Sequence, residues 1–134
     1  MAKATGAAFR IVELTPQQTI DLDALRAAVN SRTKVVAITA VSNAVGAITP
    51  IADVVRIVRA QSSAVIVMDG AQAVPHLPVS FDTMDVDFFA FSGHKMLGPM
   101  GIGGLIGKLS SLLNIPMGSV VAVLGAESGG NTFS

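Results

Sequence analysis

Residues 64–95 read AVIVMDGAQAVPHLPVSFDTMDVDFFAFSGHK and decide the fold of this chain. Ala64–Met68 is apolar throughout, Val86–Phe91 is apolar except for Asp87, and each run stops abruptly at polar residues. Such runs are typical of strands buried in a parallel sheet. Pro75 and Pro78 exclude a long helix between the runs and predict a short, bent crossover. The stretch therefore indicates an α/β domain with a mostly parallel sheet.

Three further segments are predicted to be strands. The run VVAITAV at Val35–Val41 is continuously apolar, which predicts a strand covered on both faces. The alternating FRIVEL at Phe9–Leu14 predicts a strand with one exposed face. The Gly-rich segment after residue 97 contains an apolar run at Ile102–Ile106. The linker before that run is too short for a helical crossover, so we expect an antiparallel edge strand there.

Two helices are predicted between these strands. Leu22, Leu25 and Val29 recur at helical spacing behind Asp21, a residue type that caps helix N-termini. The second helix is expected to have Thr49 as its cap and Pro50 as its first helical residue, and to end near residue 61.

Length and composition restrict the class of protein. The 134 residues suffice for one domain, and a content of 51% hydrophobic and 13% charged residues excludes intrinsic disorder. Nine basic residues balance nine acidic ones, so the chain lacks the excess positive charge that holds nucleic acid. No apolar window of about 18 residues and no signal peptide occur, which predicts a soluble, cytoplasmic protein without a membrane partner.

The chain contains no cysteine, which excludes disulfides, thiolate metal ligands and thiol nucleophiles within these residues. Asp82, Asp85 and Asp87 are spaced too irregularly for a calcium loop, so no metal site is expected. Any catalysis by these residues must therefore use side chains other than thiols or metal ligands.

Polar side chains follow each of the three buried runs. They are Asn43, then Asp69 and Gln72, then Ser92, His94 and Lys95. Because the carboxyl ends of parallel strands share one edge of a sheet, where ligands bind, we expect these six residues to converge.

An amine and a carboxylate at this edge fit pyridoxal phosphate. The cofactor aldehyde needs an amine for a Schiff base, which Lys95 offers, and its pyridine nitrogen needs an acidic partner, which Asp69 offers. Ser92 and His94 could donate hydrogen bonds to the phosphate.

Three motifs carry a family resemblance: TAVSNAVGAITP at residues 39–50, DGAQAVPHLPV at 69–79 and FFAFSGHKMLGPMGIGGL at 88–105. Over roughly Lys3 to Lys108 the chain resembles the cofactor domain of class V aminotransferases, in particular the group II cysteine desulfurases. The resemblance implies a three-layer large domain of fold type I in a homodimer. It also implies conversion of L-cysteine to L-alanine, with the sulfur passed through a sulfur-acceptor protein for iron–sulfur cluster assembly.

The resemblance also implies a role for each motif residue. Lys95 would be the Schiff-base lysine and Asp69 the partner of the pyridine nitrogen. Gln72 would bond the phenolic oxygen of the cofactor, and Asn43 would face the substrate carboxylate or a cofactor oxygen. The serine and histidine of the S-G-H-K motif would contact the phosphate.

The chain also departs from the family pattern. Ala40 stands where many relatives have a histidine. The family's threonine phosphate loop and ring-stacking histidine would precede this chain. Its substrate-anchoring arginine and sulfur-accepting cysteine would follow it. We therefore expect residues 1–108 to be a partial cofactor domain and residues 109–134 a divergent or poorly ordered tail of a truncated or frame-shifted product.

Two alternatives to a desulfurase domain remain. One is a non-catalytic fragment that retains cofactor affinity or associates with another chain, because a sheet without its neighbours exposes edges and apolar surface. The other is a selenocysteine lyase or kynureninase-like enzyme, whose cofactor motifs are similar. His76 lies between prolines without a partner indicated by spacing, which favours a loop histidine over a catalytic base.

Overall fold

The computed structural model describes residues 6–113. Four helices and four strands follow one another along this part of the chain, together with a 3₁₀ turn at His94–Met96. The helices are α1 (Leu22–Ala28), α2 (Ile51–Gln61), α3 (Phe81–Met84) and α4 (Leu109–Leu113), and the strands are β1 (Val35–Thr39), β2 (Val65–Asp69), β3 (Phe88–Ser92) and β4 (Gly103–Gly107).

The strands form one sheet in the order β1-β2-β3-β4. The first three strands are parallel, and β4 pairs with β3 in the antiparallel direction at the edge of the sheet. This confirms the predicted antiparallel edge strand, which begins one residue later than expected. In the register of the sheet, Thr39 pairs with Asp69 and Asp69 with Ala90. The carboxyl ends of the parallel strands therefore meet at one edge.

The core lies on one face of the sheet. Ile66, Met68 and Phe89 point to this face and belong to the same hydrophobic cluster as Val54 and Val58 of α2. All five side chains are almost completely buried. The apolar stripe predicted for α2 therefore holds that helix against the sheet.

The opposite face is only partly covered by the described residues. Phe88 is buried there beside Gly107, and Leu112 of α4 lies next to the same glycine. Val35 on β1 is 58% exposed, and the outward positions of that strand alternate with half-buried ones. The prediction that this strand is covered on both faces is thus wrong within residues 6–113, because α4 reaches only the other end of the sheet.

Two other local predictions are also wrong. Residues 9–14 form no strand, and Phe9 is 80% exposed. Only Leu14 makes an isolated bridge, to Ile20, so the alternating pattern has no strand to pair with among the described residues. Helix α2 has Pro50 rather than Thr49 as its N-cap, because the Thr49 hydroxyl donates to the Thr39 carbonyl instead.

The first helix and the crossover follow the sequence more closely. Asp21 caps α1 as predicted, since its Oδ1 accepts hydrogen bonds from the backbone of Asp23 and Ala24 at 2.9 Å. Turns and the short helix α3 form the bent crossover between β2 and β3. Within the tail predicted at residues 109–134, residues 109–113 form α4, and the rest of that tail lies outside the described residues. In the described part of the chain, no helix is both long and apolar enough to cross a membrane.

A partly buried ion pair ties α2 to the sheet at the end opposite its carboxyl edge. Arg59 Nη2 donates to Asp87 Oδ2 at 2.8 Å, and the backbone N–H of Ile66 donates to the same oxygen at 2.7 Å. Ser111 Oγ donates to Asp87 Oδ1 at 3.1 Å. Burial alone would raise the pKa of Asp87, but these hydrogen bonds and the charge of Arg59 hold that pKa below its usual value.

Asp87→Asn is expected to lower the free energy of unfolding by about 2 kcal/mol at pH 7, because charge-assisted hydrogen bonds are lost. The pKa of Asp87 is lower in the folded than in the unfolded chain, so its stabilisation is complete above an unfolded pKa of about 4. That stabilisation is lost as the pH falls through the folded pKa. Urea titrations at several pH values should show the variant and the wild type converging in acid.

Asp53→Asn is the matched control, since Asp53 pairs with Arg56 on the exposed side of the same helix. Exposed pairs contribute little, so this variant should lose less than about 0.5 kcal/mol. Equal losses in the two variants, or a loss in Asp87→Asn that does not change with pH, would contradict the assignment.

Candidate active site at the carboxyl edge of the sheet

Asp69 and Ser92 stand at the carboxyl ends of neighbouring strands. Asp69 is the last residue of β2, and Ser92 is the last residue of β3. Asp69 pairs with Ala90, so Ser92 lies two positions further along β3 and points to the same face of the sheet. Thr39 ends β1 on that face too. Three polar residues therefore lie on one face of the sheet at the carboxyl ends of its parallel strands.

Lys95 reaches across the sheet edge to Asn43. Its Nζ lies 3.4 Å from Asn43 Oδ1, although the two residues are 52 positions apart in the sequence. Lys95 follows β3 and Asn43 follows β1, and β2 lies between those strands. The contact between Lys95 and Asn43 therefore spans the carboxyl end of β2, where Asp69 lies.

The carboxylate of Asp69 is exposed and lies on a firmly held strand end. Its Oδ1 accepts the backbone N–H of Ala71 at 2.9 Å, and its Oδ2 accepts no hydrogen bond within residues 6–113. On either side of it, Ala40 N–H donates to the Asp69 carbonyl and Gly70 N–H donates to the Ala90 carbonyl, both at 2.7 Å. These bonds fix the backbone while leaving carboxylate oxygen available to a ligand.

Ser92 and His94 form a pair beside Lys95. Ser92 Oγ and His94 Nδ1 share a hydrogen bond of 2.9 Å, and both side chains are half-buried. This bond orients the imidazole and leaves its Nε2 without a partner within the described part of the chain. A hydroxyl and an oriented ring nitrogen can together hold an anionic group.

An open cavity of about 320 Å³ lies beside the loop that carries Asn43. Asn43 and Gln72 both line it, so the structure brings these two predicted residues together. His76, which we expected to be a loop histidine, lies in a turn and lines the same cavity.

Two threonines position the Asn43 loop, a role that the sequence motifs did not indicate. Thr39 Oγ1 donates to the Val41 carbonyl at 2.9 Å, and Thr49 Oγ1 donates to the Thr39 carbonyl at 2.6 Å. The loop from residue 42 to 48 is therefore closed at its base. A threonine at the end of an apolar run is the signal that could have indicated this.

The family model for class-V aminotransferases matches residues 1–124. The chain belongs to the class-V aminotransferase family. Its motif resemblance is thereby confirmed, and the match extends further along the chain than the motifs do.

The curated relatives of this class-V chain include cysteine desulfurases. It is 43% identical over 116 residues to a cysteine desulfurase of Dickeya dadantii (strain 3937), covering 87% of this chain and 28% of that protein. It is 39% identical over 128 residues to a cysteine desulfurase of Escherichia coli (strain K12 / DH10B), covering 92% of this chain and 31% of that protein. The chain thus spans about three tenths of the length of these relatives.

Solved structures give the same result for the fold. The crystal structure of a cysteine desulfurase from Escherichia coli matches with a TM-score of 0.78 and 36% identity, over 83% of this chain and 28% of that one. The apo structure of a cysteine desulfurase from Thermococcus onnurineus NA1 matches with a TM-score of 0.74 and 33% identity, over 81% and 27%. The predicted fold class, a partial α/β large domain of fold type I with a mostly parallel sheet, is confirmed.

The donor set of this class-V chain fits pyridoxal phosphate chemically. Lys95 supplies the amine, Asp69 a carboxylate with a free oxygen, and Ser92 with His94 a pair suited to an anion. The turn that carries His94 and Lys95 is tightly packed, because a Cβ on Gly93 would lie 2.8 Å from the Ile102 carbonyl oxygen. The amine is therefore presented from a well-defined turn.

Proposed function

We propose that this chain is the cofactor-holding part of a pyridoxal phosphate-dependent cysteine desulfurase. One observation carries the proposal: the Lys95 amine contacts Asn43 across the end of β2, where Asp69 lies. An amine and a carboxylate in this arrangement can hold the two ends of one small heterocycle. The 39–43% identity to cysteine desulfurases supports this reaction class.

Each residue has a distinct task in this proposal. When bound, pyridoxal phosphate supplies an electron sink for bond cleavage at the α-carbon of an amino acid. Lys95 anchors the cofactor aldehyde through Nζ and can carry a proton at the same atom. Asp69 keeps a proton on the pyridine nitrogen through its free oxygen. Ser92 and His94 donate hydrogen bonds to the phosphate.

Asn43 and Gln72, whose amide side chains line the cavity, complete the set of proposed ligand-binding residues. Gln72 donates to the phenolic oxygen of the cofactor. Asn43 contacts the Lys95 amine and lines the cavity, so it can orient the substrate carboxylate or a cofactor oxygen. Together these residues bind and orient the ligand.

In the proposed reaction L-cysteine is the substrate, and L-alanine and transferable sulfur are the products. The 134 residues contain no cysteine, so the thiolate that receives the sulfur must come from outside this sequence. We propose a cytoplasmic homodimer that hands the sulfur to an acceptor protein. Turnover by these 134 residues alone is expected to be very low.

A cofactor-binding unit without turnover is the second candidate. The observation that favours it is the uncovered sheet face, on which Val35 and Leu105 are both more than half exposed. Apolar surface of this kind marks a site of association. In this case the chain would bind the cofactor and pair with other chains without consuming L-cysteine.

Trapping with borohydride tests the cofactor assignment. The full chain is incubated with pyridoxal phosphate, reduced with borohydride and digested, and the modified lysine is identified by mass spectrometry. Lys95 is expected to carry the label, and not Lys34 or Lys108. Labelling spread evenly over the lysines would contradict the assigned site.

A sulfide assay with L-cysteine then separates the two candidates. Label on Lys95 with little sulfide supports cofactor binding without turnover by this chain. Rapid sulfide release would show that the chain itself is a catalyst.

A further inference from the structure

The cavity beside Asn43 is rich in hydrogen-bond donors and lacks acidic groups. Its polar lining residues are Ser42, Asn43, Gln72 and His76. Hydroxyl, amide and imidazole groups can all donate hydrogen bonds, and no Asp or Glu lines the cavity within residues 6–113. A site with several donors and no carboxylate favours an anionic ligand.

His76 is placed on the same side of its turn as Gln72. Val74 N–H donates to the Gly70 carbonyl at 3.0 Å, and Leu77 N–H donates to the Ala73 carbonyl at 2.8 Å. These are helical spacings, so residues four apart in this turn share a side. The His76 ring is exposed and makes no hydrogen bond to other residues described by the structure. Its nitrogens are therefore available to a ligand.

The remaining walls limit what the cavity can hold. Val41, Ile48 and Leu77 line it with apolar surface, and its volume is about 320 Å³. Asn43 lies both in this cavity and 3.4 Å from the Lys95 amine. Asn43 therefore links the Lys95 amine to the cavity that His76 lines.

We propose that His76 is a substrate-binding residue that donates a hydrogen bond to the carboxylate of the amino-acid ligand, next to Asn43. The proposal deepens the function proposed above and rests on it for the identity of the ligand. It gives His76 a role that neither the motifs nor the predicted site includes. Gln72 lies one turn before His76 and lines the same cavity.

Nuclear magnetic resonance can test this directly, because the chain has only two histidines, His76 and His94. The probe is L-alanine, and the control is ethylamine, the same molecule without its carboxylate. L-Alanine is expected to shift the His76 imidazole signals in a saturable way, and ethylamine is not. Both ligands are added to the full chain without cofactor, and the signals are assigned with His76→Asn.

Two variants sharpen the test. His76→Ala should weaken L-alanine binding about tenfold, the factor expected for one hydrogen bond to a charged group, as followed by the Asn43 side-chain amide signal. His76→Asn keeps an N–H donor and should recover part of that loss. Equal responses of His76 to L-alanine and ethylamine, or unchanged L-alanine affinity in His76→Ala, would overturn the proposal.

A failure of the proposed function can be distinguished from a failure of the carboxylate site. Pyridoxal phosphate is expected to shift the His94 signals and to form an adduct with Lys95, in His76→Ala as in the wild type. A chain in which L-alanine shifts His76 but the cofactor affects neither His94 nor Lys95 would refute the proposed function and support the carboxylate site. A chain with the cofactor response but no L-alanine response would refute the carboxylate site alone.

Discussion

Lys95→Ala is expected to abolish the near-visible absorbance band that forms when pyridoxal phosphate is added to this chain. The band requires a covalent bond between the cofactor aldehyde and an amine held at the site. Lys108 cannot replace Lys95, because its ammonium pairs with Asp85 at the opposite end of the sheet. Spectra of matched wild-type and variant samples, recorded during a cofactor titration, measure the effect.

Two controls show whether the loss is specific. Lys95→Arg keeps a positive charge near Asn43 but supplies no nucleophilic amine, so it too should give no band. Lys108→Ala removes a lysine of the same chain outside the site, so its band should match that of the wild type. A band of normal intensity in Lys95→Ala would mean that the cofactor reacts elsewhere.

The parts of the fold that depend on local pattern could be predicted from the sequence. Runs such as Ala64–Met68 are apolar because both their faces meet other atoms, and the structure has β2 at Val65–Asp69. Asp21 could be recognised as a cap because its own side chain satisfies the first N–H groups of α1. The convergence of Asp69 and Ser92 follows from parallel pairing alone, so topology was enough to expect it.

The parts that depend on distant segments could not be predicted. Alternation at residues 9–14 says nothing about whether a strand is present to pair with it. Thr49 looks like a helix cap by position, yet the Thr39 carbonyl competes successfully for its hydroxyl. His76 lines the cavity because the loop at residues 41–48 faces the turn after β2, and no spacing in the sequence encodes that arrangement.

Gly70→Ala is expected to destabilise the chain by about 3 kcal/mol or more. A Cβ at Gly70 would lie 1.9 Å from Cζ of the Phe89 ring, which is far inside van der Waals contact. Phe89 is only 1% exposed and cannot swing away, so the ring or the backbone must shift in a close-packed core. Urea unfolding of the variant and the wild type measures the difference.

Gly46→Ala is the matched control for that substitution. Gly46 has a φ of +69°, and a Cβ there would meet no atom within 4 Å. The control therefore reports only backbone strain, of about 1 kcal/mol. Equal losses at the two positions would show that contact with Phe89 is unimportant.

Gly70→Ala should also weaken cofactor binding, because Gly70 directly follows Asp69. Gly70 N–H donates to the Ala90 carbonyl, and this bond holds the end of β2 against β3. A backbone shift that relieves the clash with Phe89 must strain that bond and move the Asp69 carboxylate relative to Lys95. In the absence of urea, we expect the Gly70→Ala chain to be folded and to bind the cofactor more weakly than the wild type does. Gly46→Ala should bind the cofactor as tightly as the wild type does. Unchanged affinity in a destabilised Gly70→Ala chain would mean that Asp69 is held by its Ala71 and Ala40 contacts alone.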